Sequence, residues 1–197
     1  ETYRANLGKH IVCKDIFTVK ADDVPDCDIV IGGFPCQGFS VANTKRNVED
    51  ERNRLYKQLI RIIAEKKPKF LLAENVKGII SLGKGEVLKM ILSDFTNLGY
   101  MIQAKLLNSA DFGVPQMRQR VFIIGVRNDM DFSFNYPSPT HTADGAAGLP
   151  KWVGVGKALA DIPNPDEPND LHNHDYSKYK LRFNGYLGHR TIDPDKP

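Results

Sequence analysis

The stretch IVIGGFPCQGFS, Ile29–Ser40, joins an apolar run to a rigid turn that carries a cysteine. The longer run DCDIVIGG, residues 26–33, is short, apolar and bounded by turn residues, which predicts a buried β-strand. The two glycines at its end allow a sharp turn and let a ligand come close to the main chain. Pro35 makes the backbone before Cys36 rigid. Cys36 is either a small buried residue of the core or a nucleophile whose thiol is oriented before the substrate binds.

Strand and helix patterns alternate after this stretch. A second buried strand is predicted over Lys69–Val76, and two further strands are predicted over Tyr100–Asn108 and Arg120–Arg127. Helical periodicity covers Arg54–Lys67, which Pro68 ends, and residues 85–100, where Gly99 suits the helix C-terminus. This alternation predicts an α/β fold with a mostly parallel sheet and covering helices. The last two strands have no helix between them, so we expect them to pair antiparallel at one edge of the sheet.

The composition limits the class of protein. The chain has 197 residues, 41% of them hydrophobic, and no stretch approaches the roughly 18 apolar residues of a membrane span. Its three cysteines form no Cys-x-x-Cys pair, which argues against a disulfide framework or a thiolate zinc site and indicates a reducing cytosol. His172 and His174 lack partner ligands at metal spacing, so no metal site is expected. The net charge of +3 neither requires nor excludes a nucleic acid partner.

The character of the sequence changes near residue 130. Beyond about Asn128, Pro, Gly, Asn, Asp and His become frequent, and periodicity is lost apart from one short helix predicted near Gly156–Asp161. We therefore expect one domain over residues 1–130 and an irregular region over residues 131–197. Within the first part, the polar and charged segment Phe39–Asn53 is predicted to be a loop, and loops of this length in compact domains are often lids.

Polar side chains follow the carboxyl ends of the predicted strands, where open parallel sheets bind ligands. Cys36 follows the first strand, Glu74 and Asn75 close the second, and Arg118 and Arg120 open the last. Each has an ordinary structural alternative: a buried cysteine, a strand-end carboxylate, a solvated pair of arginines, and an amide that satisfies the backbone at a turn. Together they place a thiol, a carboxyl group and two guanidinium groups on one rim, where a nucleophile, a proton donor and carbonyl-binding groups could act jointly.

Three blocks of sequence resemble those of one enzyme family. GGFPCQGFS, AENVKGI and GVPQMRQRVFIIGVR resemble, in order and spacing, blocks of the DNA cytosine-5 methyltransferases, and the match covers residues 1–127. Upstream, ETYRANLGKHIVCKDI resembles the segment leading to a strand that ends in Asp15 and Ile16. The resemblance implies a class I S-adenosylmethionine-dependent methyltransferase fold, Rossmann-like and mostly parallel with an antiparallel edge hairpin. It makes residues 1–130 a partial catalytic domain and residues 131–197 the connection to a target-recognition region.

The resemblance also implies the reaction. Cys36 would add to C6 of cytosine, Glu74 would hydrogen-bond N3 and the exocyclic amine, and Arg120 would bind the O2 carbonyl while Arg118 braces the pocket. C5 would then take the methyl group of S-adenosylmethionine, leaving S-adenosylhomocysteine. The base would have to be flipped out of the duplex, because its ring is inaccessible inside the stack.

Contacts with the cofactor and the DNA follow from the same family pattern. At the cofactor it implies Asp15 and Ile16 near the adenine, Gly33 and Pro35 near the methionine end, and Leu55 lining the pocket. At the DNA substrate it implies Phe34, Pro35, Gln37, Ser40 near a backbone phosphate, and Asn75. No metal is implied.

Some family elements are missing from this sequence. The Gly-rich first block, the acidic residue that holds the ribose and the two C-terminal blocks are absent. In the family, the strand of that first block lies between the strand ending at Asp15 and the strand ending at Gly33. Without it the flanking strands would leave backbone groups unpaired. We therefore expect that the chain is not self-sufficient and that a further polypeptide segment or a second subunit completes the cofactor site.

Two other functions remain open at this point. One is methylation of cytosine in tRNA, although enzymes of that kind carry a Cys-Phe-Thr signature that this sequence lacks. The other is a catalytically silent DNA-binding or regulatory subunit, against which the presence of Cys36, Glu74 and Arg120 argues. The leading expectation is a DNA (cytosine-5-)-methyltransferase of a bacterial restriction-modification system, cytoplasmic and nucleoid-associated. Its partners would be duplex DNA and a cognate restriction endonuclease, with no membrane.

Overall fold

The computed structural model describes residues 1–35 and 51–163, with side chains of the second range from Leu55 onward. Four strands lie within these residues: β1 Ile29–Gly33, β2 Phe70–Val76, β3 Tyr100–Asn108 and β4 Gln119–Arg127. Four α-helices accompany them: α1 Thr2–Leu7, α2 Glu51–Lys66, α3 Glu86–Asn97 and α4 Val155–Ala158. All four predicted strands are confirmed in position, since turn-forming residues bound each of them. The expected burial of the first strand is wrong: β1 is an edge of the described sheet, and its Ile29 and Ile31 are 46% and 68% exposed.

The four strands form one mixed sheet in the order β1-β2-β4-β3. β1 and β2 are parallel, with Gly33 opposite Glu74, whereas β2 and β4 are antiparallel. The amide of Asn128, directly after β4, donates to the carbonyl of Gly99, directly before β3, over 2.9 Å. β3 and β4 are therefore antiparallel, as the absence of a helix between them predicted, and β1, β2 and β3 share one direction.

One face of the sheet is buried beneath α2 and α3. Alternate residues of a strand point to opposite faces, so Leu71, Ala73 and Asn75 share this face, each at most 3% exposed. They pack with buried residues of the two helices: Tyr56, Ile63, Ile91 and Phe95. A Cβ atom at Gly32 would lie 2.7 Å from Cδ1 of Leu59, so the glycine lets α2 approach β1 closely. We call this side of the sheet the core face.

The opposite side, which we call the open face, is covered unevenly. Residues 132–136 lie over part of it: the ring of Phe132 contacts that of Phe70 at a centroid distance of 5.6 Å. The hydroxyl of Tyr136 donates to the carbonyl of Phe122 over 2.8 Å. At the β1 end, Ile31 remains 68% exposed. The open face is therefore accessible beside β1 and the end of β2.

Two predicted helix and loop boundaries differ from the structure. α2 begins at Glu51, so the last three residues of the predicted loop Phe39–Asn53 are helical, and residues 39–50 lie outside the described ranges. Charged residues such as Glu and Arg have good helix propensity, so a helix can begin within a charged segment. The periodicity of apolar residues does not reveal this first turn of α2. α4 is a single turn, shorter than the helix expected near Gly156–Asp161.

The segment before Asp15 was expected to be a strand, and this expectation is wrong. Residues 11–14 have no regular structure, and Asp15 begins a short 3₁₀-helix over Ile16–Thr18. A strand forms where a neighbouring chain accepts and donates its backbone hydrogen bonds, and no described strand lies beside residues 11–14. The carboxylate of Asp15 instead accepts a hydrogen bond from the amide of Phe17 over 3.0 Å, which closes the turn locally.

The described chain forms two compact units. The first joins Glu1–Leu107 to Arg120–Tyr136, and the second joins Asn108–Gln119 to the described residues from Pro137 on. Within the second unit, the carboxylate of Asp111 accepts a hydrogen bond from Nε1 of Trp152 over 3.0 Å. The predicted division between residues 130 and 131 stays a prediction. Within residues 1–35 and 51–163, no helix is long and apolar enough to cross a membrane.

Candidate active site

A carboxylate and a guanidinium group meet on the open face. Glu74 of β2 lies opposite Phe122 of β4, and Arg120 lies opposite Val76, so strand alternation directs both side chains to the same side. Nε of Arg120 is 2.9 Å from Oε1 of Glu74, and the two side chains are 22% and 32% exposed respectively. The pair is thus partly screened from water but still accessible to a ligand.

The end of β1 lies directly beside this pair. Gly33 is the register partner of Glu74, and a Cβ atom at Gly33 would lie 3.8 Å from Oε2 of the carboxylate. Because glycine has no side chain, the space beside the carboxylate stays open. Pro35 is exposed just beyond it. Cys36, Gln37 and Ser40 lie outside the described residues.

Asn75 has a different place from the one expected of a substrate contact. It is 3% exposed and points to the core face. Its Nδ2 donates to the carbonyl of Phe34 over 2.8 Å, and its Oδ1 accepts from the amide of Val76 over 2.9 Å. Both polar groups are therefore engaged with the backbone on the buried side of the sheet, and the substrate contact expected of Asn75 stays a prediction. The side chain holds the backbone between β1 and Cys36.

The aromatic ring of Phe34 is also turned into the core. It is 7% exposed and packs on Tyr56 of α2 with ring centroids 5.0 Å apart. Any contact of Phe34 with a substrate must therefore come from its backbone. Tyr56 is itself fully buried, and its hydroxyl donates to a carboxylate oxygen of Asp94 on α3 over 3.0 Å. Burial, reinforced by the Asp94 charge, raises the pKa of Tyr56 well above its ordinary value, so it remains a neutral donor.

Tyr56, which packs on Phe34 after β1, was not predicted from the sequence to lie near the site. Its spacing of three residues from Leu59 and seven from Ile63 is the helical spacing of a core position, and this signal could have found it.

Arg118 belongs to the second compact unit. Its side chain is exposed, and its carbonyl accepts hydrogen bonds from the amide of Ser109 over 3.0 Å and from the Ser109 hydroxyl over 3.3 Å. These bonds fix the backbone at the base of the loop that precedes β4. The structure therefore describes Arg118 within its own unit, and its expected role in bracing the pocket stays a prediction.

The residues expected at the cofactor are accessible. Asp15 and Pro35 are exposed, while Ile16 and Leu55 are half-buried. Leu55 stands one residue before Tyr56 on α2, the helix that packs against the end of β1. An exposed carboxylate can accept hydrogen bonds from a nucleobase, and half-buried aliphatic side chains can pack against its ring. The chemistry of these residues therefore fits the adenosyl group of S-adenosylmethionine. Within residues 1–35 and 51–163, no cluster of three or more His, Cys, Asp or Glu side chains could hold a metal ion.

Comparison with known proteins places these features in a family. The model of the C-5 cytosine-specific DNA methylases matches residues 1–193. The chain is 46% identical to the type II methyltransferase M.NgoFVII of Neisseria gonorrhoeae over 173 residues, which cover 87% of this chain and 46% of that protein. It is 45% identical to M.BsuRI of Bacillus subtilis over 170 residues, which cover 85% of this chain and 38% of that protein. The chain therefore spans about half the length, or less, of these curated relatives.

A solved structure supports the fold. The methyltransferase EhMeth of Entamoeba histolytica matches with a TM-score of 0.60 at 18% identity, over 85% of this chain and 50% of that one. The predicted Rossmann-like, class I methyltransferase fold is confirmed in the part that these residues form. From the family model and the two relatives, the chain belongs to the C-5 cytosine-specific DNA methylase family.

Proposed function

We propose that this chain carries the catalytic centre of an enzyme that transfers a methyl group from S-adenosylmethionine to C5 of cytosine in duplex DNA. The observation that carries the proposal is the Glu74–Arg120 pair, 2.9 Å apart and partly exposed beside Gly33. A carboxyl group next to a guanidinium group offers a pyrimidine ring both a hydrogen-bond donor and an acceptor side by side. Family membership supports the same reaction.

Cys36 supplies the nucleophile. It lies outside the described residues, but it follows Gly33 by three positions, and the backbone leading to it is held by Asn75 and Tyr56. Its thiolate adds to C6 and makes C5 electron-rich. S-adenosylmethionine would supply the methyl group: its bond to the sulfonium sulfur of that cofactor would break as its bond to C5 forms. The C5 proton then leaves to a base, and the electrons of the C5–H bond expel the thiolate from C6.

Glu74 and Arg120 stabilise the charge that develops on the ring. The carboxyl group of Glu74 hydrogen-bonds N3 and the exocyclic amine, and the guanidinium group of Arg120 binds the O2 carbonyl. Groups held in place before the reaction need no reorganisation when charge appears, and one such donor contributes about 100-fold to 1000-fold in rate. The family resemblance assigns Arg118 a supporting role in the same reaction.

S-adenosylmethionine, when bound, supplies the methyl group as a sulfonium and leaves as S-adenosylhomocysteine. Asp15 and Ile16 would hold the adenine, Gly33 and Pro35 the methionine end, and Leu55 the apolar edge. The cytosine reaches the site by flipping out of the duplex, which costs a few kcal/mol. Gln37 and Ser40 contact the DNA. The type II relatives support a role in a bacterial modification system, with a cognate restriction endonuclease as the companion activity.

The test is covalent trapping. The purified full chain, alone and after addition of a segment that supplies the missing family blocks, is incubated with S-adenosylmethionine and duplex DNA that carries 5-fluorocytosine, which has fluorine in place of the C5 proton. We expect a denaturation-resistant protein–DNA adduct that Cys36→Ala abolishes and Glu74→Gln slows about 100-fold. The matched control is Glu86→Gln, because Glu86 pairs with Lys89 at 2.9 Å but is 71% exposed on α3. It should trap at the unchanged rate.

Other outcomes select other functions. An adduct that forms on tRNA and not on DNA would make the protein an RNA methyltransferase. DNA binding without any adduct, even after the missing blocks are supplied, would make it a silent subunit, whereas an adduct that forms only after they are supplied would confirm that the chain is not self-sufficient. If Cys36→Ala trapped as well as the unchanged protein, the covalent mechanism would be refuted.

A further inference from the structure

Arg61 of α2 reaches across to a distant backbone turn. Its Nη2 donates to the carbonyl of Val19 over 2.8 Å and to that of Ile16 over 3.3 Å. These partners are 42 and 45 residues away in the sequence. The side chain is 29% exposed, so the bonds are partly shielded from water. The guanidinium group therefore ties α2 to the turn formed by Asp15–Val19, which we call the Asp15 turn.

Several hydrogen bonds within the Asp15 turn join residues that are close in sequence. The amide and the hydroxyl of Thr18 both donate to the carbonyl of Asp15, over 2.9 and 2.8 Å. These bonds shape the turn, but they do not fix its position relative to the sheet, since they join residues three apart. No described strand lies beside it. The hydrogen bonds from Arg61 therefore connect this turn to α2, as backbone hydrogen bonds connect neighbouring strands of a sheet.

Arginine is suited to binding two backbone carbonyls at once. The ion pair of Arg61 with Glu65 does not explain the position of its side chain. The planar guanidinium group presents several N–H donors in a fixed geometry, and Nε is itself oriented by Oε1 of Gln58 over 2.8 Å. The nearest carboxylate, that of Glu65, is 3.7 Å from Nη1 and 42% exposed. An exposed pair at such a distance contributes little. The backbone carbonyls are thus the main partners of Arg61.

We propose that Arg61 is a positioning residue for the cofactor: it holds the Asp15 turn where Asp15 and Ile16 meet the adenine of S-adenosylmethionine. The inference rests on the function proposed above. Arg61 touches neither the cofactor nor the reacting atoms, because its donors are directed to carbonyls of the turn. Its loss therefore weakens cofactor binding and leaves the chemical step intact once the cofactor is bound.

The experiment compares Arg61→Met with Glu65→Gln in the full chain, supplied with the segment that carries the missing family blocks. Arg61→Met keeps the aliphatic stem and removes both carbonyl bonds, whereas Glu65→Gln removes the ion pair and keeps them. Hydrogen bonds from a charged group contribute enough for about a 10-fold rise in the KM for S-adenosylmethionine in Arg61→Met. The maximal rate at saturating cofactor should stay within about twofold, as should both constants in Glu65→Gln. Isothermal titration with S-adenosylhomocysteine should show the same 10-fold loss.

Arg61→Lys keeps the charge but cannot reproduce the two-carbonyl geometry, so it should fall between the other two variants. It also serves if Arg61→Met does not fold, which circular dichroism would reveal. An unchanged KM, or a fall in maximal rate with KM unchanged, would overturn the role of Arg61. If the unchanged protein bound no S-adenosylhomocysteine, the proposed function itself would fail together with this inference. If it bound and Asp15→Ala bound equally well, the adenine would lie elsewhere and the inference would be overturned while methyl transfer stood.

Discussion

Asn75 offers the sharpest test of how the reactive turn is held. Asn75→Ala removes the donor to the Phe34 carbonyl and the acceptor for the Val76 amide. The Phe34 side lies in the core, so leaving its carbonyl unpaired costs about 1–3 kcal/mol. Val76 is 39% exposed, so water can replace the second bond at little cost. The free energy of unfolding should fall by about 2 kcal/mol in total.

The measurement is urea denaturation followed by circular dichroism. With a denaturant dependence of about 2 kcal/mol per molar, the midpoint should fall by about 1 M with an unchanged slope. The matched control is Gln103→Ala, because the Gln103 amide also donates to a backbone carbonyl, at 3.0 Å, but at an exposed position. That control should lose less than about 0.5 kcal/mol.

Covalent trapping adds a functional readout of the same variant. Adduct formation by Asn75→Ala should slow by more than its folded fraction explains, because the backbone before Cys36 is no longer anchored. If Asn75→Ala were as stable as Gln103→Ala and trapped cytosine at the normal rate, the anchoring role would be refuted.

The other predictions concern packing, titration and charge. Gly32→Ala should lower the free energy of unfolding by about 1–3 kcal/mol in thermal or urea denaturation, because its Cβ would clash with Leu59. Gly33→Ala, whose Cβ meets no such contact, should leave the free energy of unfolding nearly unchanged. Equal effects of the two substitutions would contradict this reasoning. Burial raises the pKa of Tyr136 to about 12, so the stability contributed by the neutral phenol is present below the unfolded pKa of about 10 and is lost as pH rises toward 12. Tyr136→Phe should flatten that alkaline decline, and an unchanged slope would count against it. Glu74→Gln should lower stability by no more than about 1 kcal/mol, since its ion pair is partly exposed, so a collapse of the fold would mean that its role is structural.

The strands and the reversed edge strand could be predicted from local sequence. Apolar runs closed by Gly, Pro or Asn define β1, β2, β3 and β4, and the missing helix between β3 and β4 fixes their antiparallel pairing. Such features depend on neighbours along the chain. The strand expected before Asp15 failed because a strand depends on a partner in space, and periodicity within one segment cannot supply that information.

The candidate site was predictable in part for the same reason. Glu74 and Arg120 stand at strand ends, where the general behaviour of open sheets directs attention. The task of Asn75 was not predictable, because alternation separates it from Glu74 without saying which face α2 and α3 cover. Arg61 gave no signal at all: a charged residue in an amphipathic helix is ordinary, and its partners are more than 40 residues away.

Glu74 and Asn75 are adjacent, yet Glu74 lies on the open face, where we propose that it meets the substrate, and Asn75 lies on the core face, where it binds the carbonyl of Phe34. Inserting or deleting a single residue of β2 ahead of them would exchange their sides, burying a carboxylate and exposing the amide that secures the turn. The loops that flank β2 can therefore differ in length between related chains, whereas the number of residues from Phe70 to Asn75 must stay constant. Chains that share this arrangement should show length variation up to the borders of β2 and none within it.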